Sequence, residues 1–117
     1  MRSISIKRAY EDAREADGFR ILVDRLWPRG RTKDQMALAQ WSKDWAPSPG
    51  LRAWFDHRPD RFAEFSNRYT VEMESNPAIQ EALKSMPNRH ITLVYGARDP
   101  AINHAVLLAE YLKRHSK

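Results

Sequence analysis

The sequence predicts an α/β fold in a single domain over residues 1–117. The expected architecture is a small, mainly parallel sheet of about three strands flanked by helices, with a helical insertion between the second and third strands. Two apolar runs of strand type lie about 70 residues apart, the chain between them has helical periodicity, and another helical pattern follows the second run. A length of 117 residues suits one hydrophobic core and is short for two.

The first two predicted strands differ in character. Residues 4–7 alternate weakly between apolar and polar side chains, which indicates an edge strand leading into an exposed loop over residues 11–18. Residues 20–24 are almost continuously apolar through Ile21, Leu22 and Val23, as is typical of a strand covered on both faces. We therefore expect the second strand to be central.

A helical insertion is predicted after Gly30. Thr32 and Gln35 fit a capping box, in which their side chains satisfy free backbone donors, so we expect a helical region from there to Trp45. Pro47 and Gly50 interrupt it. Three further helical patterns follow, and their apolar positions are expected mainly to fill the core: Leu51, Trp54 and Phe55; Phe62, Phe65, Tyr69 and Met73 after Pro59; and Ile79, Leu83 and Met86 after Asn76 and Pro77.

The last strand and helix are expected to bring two loops together. Residues 91–95 return to strand character, and Asp99 is predicted to cap a final helix whose first residue is Pro100. Because a strand, helices and a second strand favour a right-handed crossover, the second and third strands should pair in parallel. Residues 24–30 and 96–99 would then leave the sheet at the same edge, where open α/β folds build ligand sites.

Charge and composition favour an anionic partner and restrict the chemistry. The formal net charge is +5, the isoelectric point is near 9.8, and arginine supplies 14 of the 20 positive side chains. Arginine favours bidentate recognition of phosphate or carboxylate. Zero cysteines exclude disulfides, thiolate metal sites and cysteine nucleophiles. The chain shows neither an apolar run of the roughly 20 residues that span a bilayer nor a signal-peptide pattern, so we expect a cytoplasmic protein without membrane partners.

A small anionic ligand is the partner expected at the shared sheet edge, with phosphate- or carboxylate-bearing molecules and nucleotides as the chemical classes. Backbone amides at a helix start and arginine side chains would cradle it. The ligand-binding candidates are Arg25, Trp27, Arg29, Gly30, Gly96, Arg98, Asp99 and Asn103. His104 is the candidate general acid or base, because a helix N-terminus favours a neutral imidazole. Asp24 is the second catalytic candidate, for hydrolase or transferase chemistry.

The same residues have other interpretations, which the sequence leaves open. Asp24 and Arg25 also suit an ion pair or a loop anchor. Trp27 also suits a hydrophobic plug over the sheet edge, and Trp54 and His57 suit either core or site. The glycines match neither a P-loop nor the dinucleotide fingerprint, so the identity of any cofactor stays unknown. Without histidine and carboxylate spacing of the H-E-x-x-H type, no metal site is predicted.

Two alternative functions belong to other classes. A nucleic-acid-binding module would use a basic patch, defined here as Arg20, Arg25, Arg29, Arg31 and Lys33, although the chain lacks a helix-turn-helix or RNA-binding signature. Such binding would weaken steeply with salt. A protein-interaction module would instead use Trp27 and the central aromatic residues as an exposed apolar surface.

Three strings of the sequence resemble a known family. VDRLWPRG, WAPSPGLRAWFDHRPDRFAEFSNRY and LVYGARDPAINHAVLLAEYL, at residues 23–30, 45–69 and 93–112, are similar to strings of the YeaO-like proteins, small bacterial members of the domain-of-unknown-function 488 (DUF488) family. The resemblance covers nearly the whole chain and implies no particular reaction. It implies importance for Asp24, Arg25, Trp27, Pro28, Arg29, Gly30, Trp54, Phe55, His57, Arg68, Tyr69, Asp99, Asn103 and His104.

A broader branch of the same family differs at residues that bear on chemistry. That branch carries cysteines near the final strand and in a Cys-His-Arg string at the last helix. This chain has Tyr95, Asn103 and Ala105 at the aligned Cys, Cys and Arg positions, and it keeps His104. The thiol or metal chemistry that the branch implies therefore lacks its side chains here.

Overall fold

Four parallel strands form one sheet in the order β1-β4-β2-β3. The computed structural model of the chain describes residues 3–116, and its strands are β1 (Ser3–Arg8), β2 (Phe19–Leu22), β3 (Gln40–Trp41) and β4 (His90–Tyr95). Leu22 of β2 lies opposite Val94 of β4, so the expected parallel pairing of these two strands is confirmed. The edge position of β1 and the inner position of β2 are confirmed as well.

Within residues 3–116, five α-helices pack around the sheet. They are α1 (Lys33–Met36), α2 (Pro49–Phe55), α3 (Phe62–Glu74), α4 (Pro77–Ser85) and α5 (His104–His115), and short 3-10 turns occupy Glu15–Asp17, Lys43–Trp45 and Pro59–Arg61. Helix α4 begins with Pro77 after the capping Asn76, as the sequence pattern predicts. Helix α2 begins at Pro49 after the capping Ser48, inside the segment that was expected to interrupt the helical pattern. The described part of the chain has no helix that is both long and apolar enough to cross a membrane.

The prediction of a helix reaching Trp45 is wrong. The capping box of Thr32 and Gln35 is present, but α1 ends at Met36 because Ala37 adopts a left-handed conformation with φ of 45°. The backbone then turns to the free edge of β2, where the amides of Ala39 and Ser42 donate hydrogen bonds of 2.9 and 2.8 Å to the carbonyls of Arg20 and Leu22. Residues 40–41 thus become the short edge strand β3.

The start of the last helix also differs from the expectation. Helix α5 begins at His104, and its N-cap is Asn103, whose side-chain oxygen accepts from the Val106 amide at 3.0 Å. Asp99 instead closes the preceding turn, accepting from the amides of Ala101 at 2.8 Å and Ile102 at 3.1 Å. Asn103 rather than Asp99 caps the helix because the side-chain nitrogen of Asn103 also donates to the Asp99 carbonyl at 2.8 Å. This hydrogen bond joins the turn to the helix.

The sheet carries a large core on one face and a small one on the other. Side chains of β2 and β4 alternate between them: Ile21 and Leu93 face the helical insertion and α5, whereas Leu22 and Val94 face α1. Phe65 and Tyr69 are each 1% exposed within the larger core, which confirms that most aromatic residues of the insertion fill the interior. The smaller core consists of Ala9, Leu22, Met36 and Val94, with Trp27 and Leu38 packed against it.

Candidate functional site

The two loops that follow β2 and β4 meet through a single hydrogen bond. Asp24 accepts from the Gly96 amide at its Oδ2 oxygen, at 2.8 Å. A Cβ at position 96 would lie 3.1 Å from that oxygen, which explains why a glycine suits this close approach. Asp24 therefore holds the two loops together at the carboxyl edge of the sheet.

His104 lies beside this link with a fixed orientation. Its Nε2 atom is 3.0 Å from the Val23 carbonyl oxygen and 3.4 Å from Oδ1 of Asp24. Because a carbonyl oxygen only accepts hydrogen bonds, Nε2 carries a proton, and Nδ1 of a neutral ring keeps its lone pair. The arrangement leaves Nδ1 as the atom able to accept a hydrogen bond or a proton.

The pKa of His104 lies below its ordinary value of 6.5. Burial of the imidazole is the main cause, since it disfavours the charged ring, and the positive charge of Arg52 and the proximity of His57 act in the same direction. The Asp24 carboxylate and the Val23 carbonyl oppose the shift without cancelling it. His104 is consequently neutral at neutral pH.

His104 lines two adjoining cavities. The larger one, named the outer pocket, has a volume of about 370 Å³. Its apolar lining consists of Pro47, Pro49, Ala53, Phe55, Phe65 and Ala97, and its polar lining of Arg52, Asp56, His57, Asn103 and His104. The smaller one, named the inner recess, has a volume of about 60 Å³ and is lined by Asp24, Arg25, Ala46, Arg52, His57, Ala97 and His104. The shared lining residues make the recess the inner end of one continuous site.

The inner recess contains buried polar atoms without partners. Nε of Arg25 and Oδ1 of Asp24 are buried and accept or donate no hydrogen bond within residues 3–116. Arg25 makes only a long contact of 3.4 Å from Nη2 to the Pro47 carbonyl. Oδ1 of Asp24 has the His104 ring nitrogen 3.4 Å away. Buried polar atoms are nearly always satisfied by protein, water or ligand, so the Arg25 donor marks a place where another molecule fits.

Helix α2 brings Arg52 and His57 to the site. The helix is fixed at its start by Ser48, whose amide and hydroxyl donate to the two carboxylate oxygens of Glu72 at 2.8 and 2.6 Å. At its end, Asp56 and His57 have left-handed φ angles of 48° and 53°. Two successive non-glycine residues in this region are uncommon and concentrate at functional sites. This turn directs His57 towards the pocket.

The structure brings together only part of the predicted ligand-binding set. Arg25 and Asn103 line the site with the two catalytic candidates, and Gly96 contributes its amide to Asp24. The side chain of Asn103 is already engaged: its oxygen caps α5 by accepting from the Val106 amide, and its nitrogen donates to the Asp99 carbonyl. Arg29, Gly30, Arg98 and Asp99 are exposed and lie outside the lining of both cavities.

Trp27 lies away from the pocket. Its indole Nε1 donates to the Arg31 carbonyl at 2.7 Å, and its ring packs against the smaller core. The ring also meets Trp41 edge to face, with centroids 5.5 Å apart. These contacts favour the hydrophobic plug among the two interpretations of this residue.

The sequence patterns did not identify these lining residues as part of the site: Pro47, Pro49, Arg52 and Asp56. They lie in a segment whose pattern predicts only a helix. His57, considered either core or site, lines both cavities. The sequence feature that points to these residues is the string over residues 45–69 that resembles the family. In it, a capped helix start and a charged turn flank an aromatic pair. Within residues 3–116, no three histidine or carboxylate side chains are grouped closely enough to hold a metal ion.

The basic patch is not continuous on the surface. Arg20 is only 3% exposed and pairs with Asp17 at 2.7 Å, so its charge is both buried and neutralised. Arg25 belongs to the inner recess, and Arg31 donates to the Ala9 carbonyl at 3.0 Å. Arg29 and Lys33 are the exposed members that remain.

The fold and the site define a small α/β protein with a polar recess at the carboxyl edge of a parallel sheet. The chain belongs to the DUF488 family, since it matches the inactive DUF488-N3 subclade (DUF488-N3i) over residues 3–117. It is 38% identical to the uncharacterised protein YeaO of Escherichia coli strain K12 over 112 residues, which cover 95% of this chain and 97% of YeaO. The family resemblance of the sequence is thus confirmed.

Mycobacterial relatives show a similar degree of likeness. The uncharacterised proteins Rv3073c of Mycobacterium tuberculosis (strain ATCC 25618 / H37Rv) and Mb3100c of Mycobacterium bovis are each 42% identical to this chain over 109 residues. These matches cover 93% of this chain and 92% of each relative. No solved structure gives a significant match to the chain.

Proposed function

We propose that this protein binds a small anionic ligand, bearing a phosphate or carboxylate group, at the carboxyl edge of its sheet. The observation that carries the proposal is the buried Nε of Arg25, which lies at the inner recess without a hydrogen-bond partner in the described part of the chain. A buried guanidinium donor without a partner is costly, and an anion is the partner that satisfies it best.

The charges around the recess support an anion. Arg25 and Arg52 line it together, and both carry a positive charge at neutral pH. Asp24 is the opposing charge within the recess, and its Oδ2 atom is already occupied by the Gly96 amide. Helix α5 starts beside the outer pocket and adds the positive end of its dipole.

Binding is a better account of the site than turnover. The chain has no cysteine for nucleophilic attack, and it matches a subclade that is described as inactive. His104 retains a lone pair at Nδ1, but its other nitrogen is fixed on the Val23 carbonyl. We therefore assign His104 and Asp24 to ligand recognition, with His104 accepting or donating a hydrogen bond according to its protonation.

Titration calorimetry with inorganic phosphate and with acetate tests the proposal. Binding is expected for at least one of these anions, and Arg25→Gln and Arg52→Gln should each weaken it about tenfold or more, because each removes a charge-assisted hydrogen bond. Arg89→Gln is the matched control, since Arg89 is an exposed arginine before β4, at the opposite end of the sheet. The proposal would be overturned if neither anion binds, or if Arg89→Gln weakens anion binding as much as the two pocket variants do.

A further inference from the structure

We infer that the anionic group belongs to a ligand with a flat apolar body, so that the ligand class is an aromatic phosphate or an aromatic carboxylate. This inference rests on the proposed function and names the ligand class of the same site. It follows from how polarity, rigidity and space are distributed between the inner recess and the outer pocket.

The ring side chains of proline and phenylalanine lie in the outer pocket, whereas polar side chains line both cavities. The unpaired donor that an anion can satisfy, Nε of Arg25, belongs to a residue of the inner recess. The outer pocket instead presents two proline rings and two phenylalanine rings, those of Pro47, Pro49, Phe55 and Phe65. A bound molecule that satisfies both ends has its charge at the inner end and its apolar surface towards the prolines and phenylalanines.

The aromatic part of the outer pocket is rigid. The rings of Phe55 and Phe65 are stacked, with centroids 4.1 Å apart and planes 12° from parallel. The two residues are 5% and 1% exposed, so the surrounding core holds their rings in place. A preformed wall of ring edges and proline rings suits a planar partner better than a flexible chain, because little ordering is needed on binding.

The two volumes exclude a simple inorganic anion as the complete occupant. The inner recess of about 60 Å³ has room for one small charged group, whereas the outer pocket of about 370 Å³ is the size of cavities that hold small organic ligands. A bare phosphate or acetate would leave the apolar wall in contact with water. Burial of an aromatic ring there should improve affinity about tenfold, since removal of apolar surface from water is favourable.

Calorimetry with paired ligands tests this inference. Phenyl phosphate should bind about tenfold more tightly than methyl phosphate, and benzoate about tenfold more tightly than acetate, if each pair is measured at the same pH and salt. Equal affinity within both pairs would overturn the inference and leave the proposed function standing. Absence of binding by all four ligands would overturn the proposed function as well, so the two failures are distinguishable.

A substitution in the pocket wall provides the second test. Ala53→Trp should fill the outer pocket and lower the affinity ratio of phenyl phosphate to methyl phosphate from about ten towards one, because the space for the ring is lost. Ala53 is exposed on α2, and Ala63→Trp on α3 is the matched control at an exposed alanine outside the lining of both cavities. An unchanged preference for phenyl phosphate in Ala53→Trp, or the same loss in the control, would contradict the inference.

Discussion

Two aspartates at opposite ends of β2 have opposite environments. Asp17 precedes the strand and lies at its amino end, whereas Asp24 follows it at the carboxyl end. Both are close to arginine side chains and to the neighbouring strand β4. The first is fully satisfied by the protein, and the second is not, so the comparison separates what stabilises the fold from what is available to a ligand.

Asp17 has a fully hydrogen-bonded carboxylate, although Nη2 of its partner Arg20 is buried without a hydrogen bond within residues 3–116. Its carboxylate accepts from Lys7 at 3.1 Å, from Arg20 at 2.7 Å and from the Arg14 amide at 3.0 Å, and its carbonyl accepts from the Thr92 hydroxyl at 2.6 Å. Burial raises the pKa of Asp17, but the hydrogen bonds from Arg14, Lys7 and Arg20 outweigh it and leave the pKa below the ordinary 3.8. The network joins β1, β2 and β4 at one end of the sheet.

Asp24 belongs to an incomplete network. One carboxylate oxygen binds the Gly96 amide, the other is buried without a hydrogen bond, and the neighbouring Arg25 keeps a buried donor unpaired within residues 3–116. Similar residue types thus give a stabilising element at one end and an open site at the other. The hydrogen bonds that the two carboxylates accept, and the presence of a cavity beside Asp24 and Arg25, distinguish the two ends.

The largest expected effect is on a glycine at the amino end. In Gly18→Ala the new Cβ would lie 2.4 Å from the His90 carbonyl oxygen, and the residue would keep a left-handed φ of 67°. We expect a loss of about 4 kcal/mol in the free energy of unfolding, measured by urea denaturation. Gly96→Ala at the carboxyl end should cost under about 1 kcal/mol, because its Cβ would meet only the Asp24 side chain at 3.1 Å. Equal losses of unfolding free energy in Gly18→Ala and Gly96→Ala would contradict the proposed difference between the amino and carboxyl ends of the sheet.

The aspartates themselves should differ in the same direction. Asp17→Asn leaves the buried Arg20 without its counter-charge and should lower the free energy of unfolding by about 3 kcal/mol. Asp24→Asn keeps an acceptor for the Gly96 amide and should cost about 1 kcal/mol or less. Parallel urea titrations of the two variants measure the difference, and a larger loss for Asp24→Asn would show that the carboxyl end is also built for stability.

The smallest effect is a dependence on pH. Since burial holds the folded pKa of His104 below 6.5, the unfolded chain binds this proton first as the pH falls. The contribution of His104 to stability is therefore fully present above pH 6.5 and is lost as the pH falls towards the folded pKa. For Asp17 the corresponding contribution is present above pH 3.8 and is lost below it, as the pH falls through the lowered folded pKa.

Chemical denaturation between pH 7.5 and pH 5 tests the assignment to His104 in roughly the range where imidazole titrates. His104→Gln should flatten the slope of the unfolding free energy against pH, while its amide still donates to the Val23 carbonyl. His115→Gln, at the exposed end of α5, controls for the loss of a histidine elsewhere. An unaltered slope in His104→Gln would contradict the assignment of a lowered pKa to this residue.

The strand pattern predicted that two loops meet at one edge of the sheet. Apolar character in residues 20–24 predicted an inner strand, residues 91–95 have strand character, and parallel pairing requires that their following loops share an edge. The helical faces of α3 and α4 followed from periodic Phe65, Tyr69 and Ile79. These features depend on local periodicity and burial, which a sequence records directly.

The remaining features depend on contacts that no local pattern records. Nothing in an alanine marks the left-handed turn at Ala37 that ends α1, and Asp99 and Asn103 are equally good N-caps four residues apart. Arginine is usually a surface residue, and no local pattern shows that Arg20 is buried and paired with Asp17. Arg52 and His57 reach the pocket because Ser48 binds Glu72, a contact between side chains 24 residues apart.

The turn that Asp99 and Asn103 close gives the length of one loop an unusual importance. Asp99 accepts from Ala101 and Ile102, and Asn103 binds back to the Asp99 carbonyl, so the residue count between them is set by both ends. Each residue advances an α-helix by roughly 100°. One residue inserted after His104 in the first turn of α5 would therefore rotate the imidazole away from Val23 relative to the buried residues of the helix. The five-residue turn, bound at both ends, keeps His104 as the first residue of the helix and so helps to set the angular position of the imidazole.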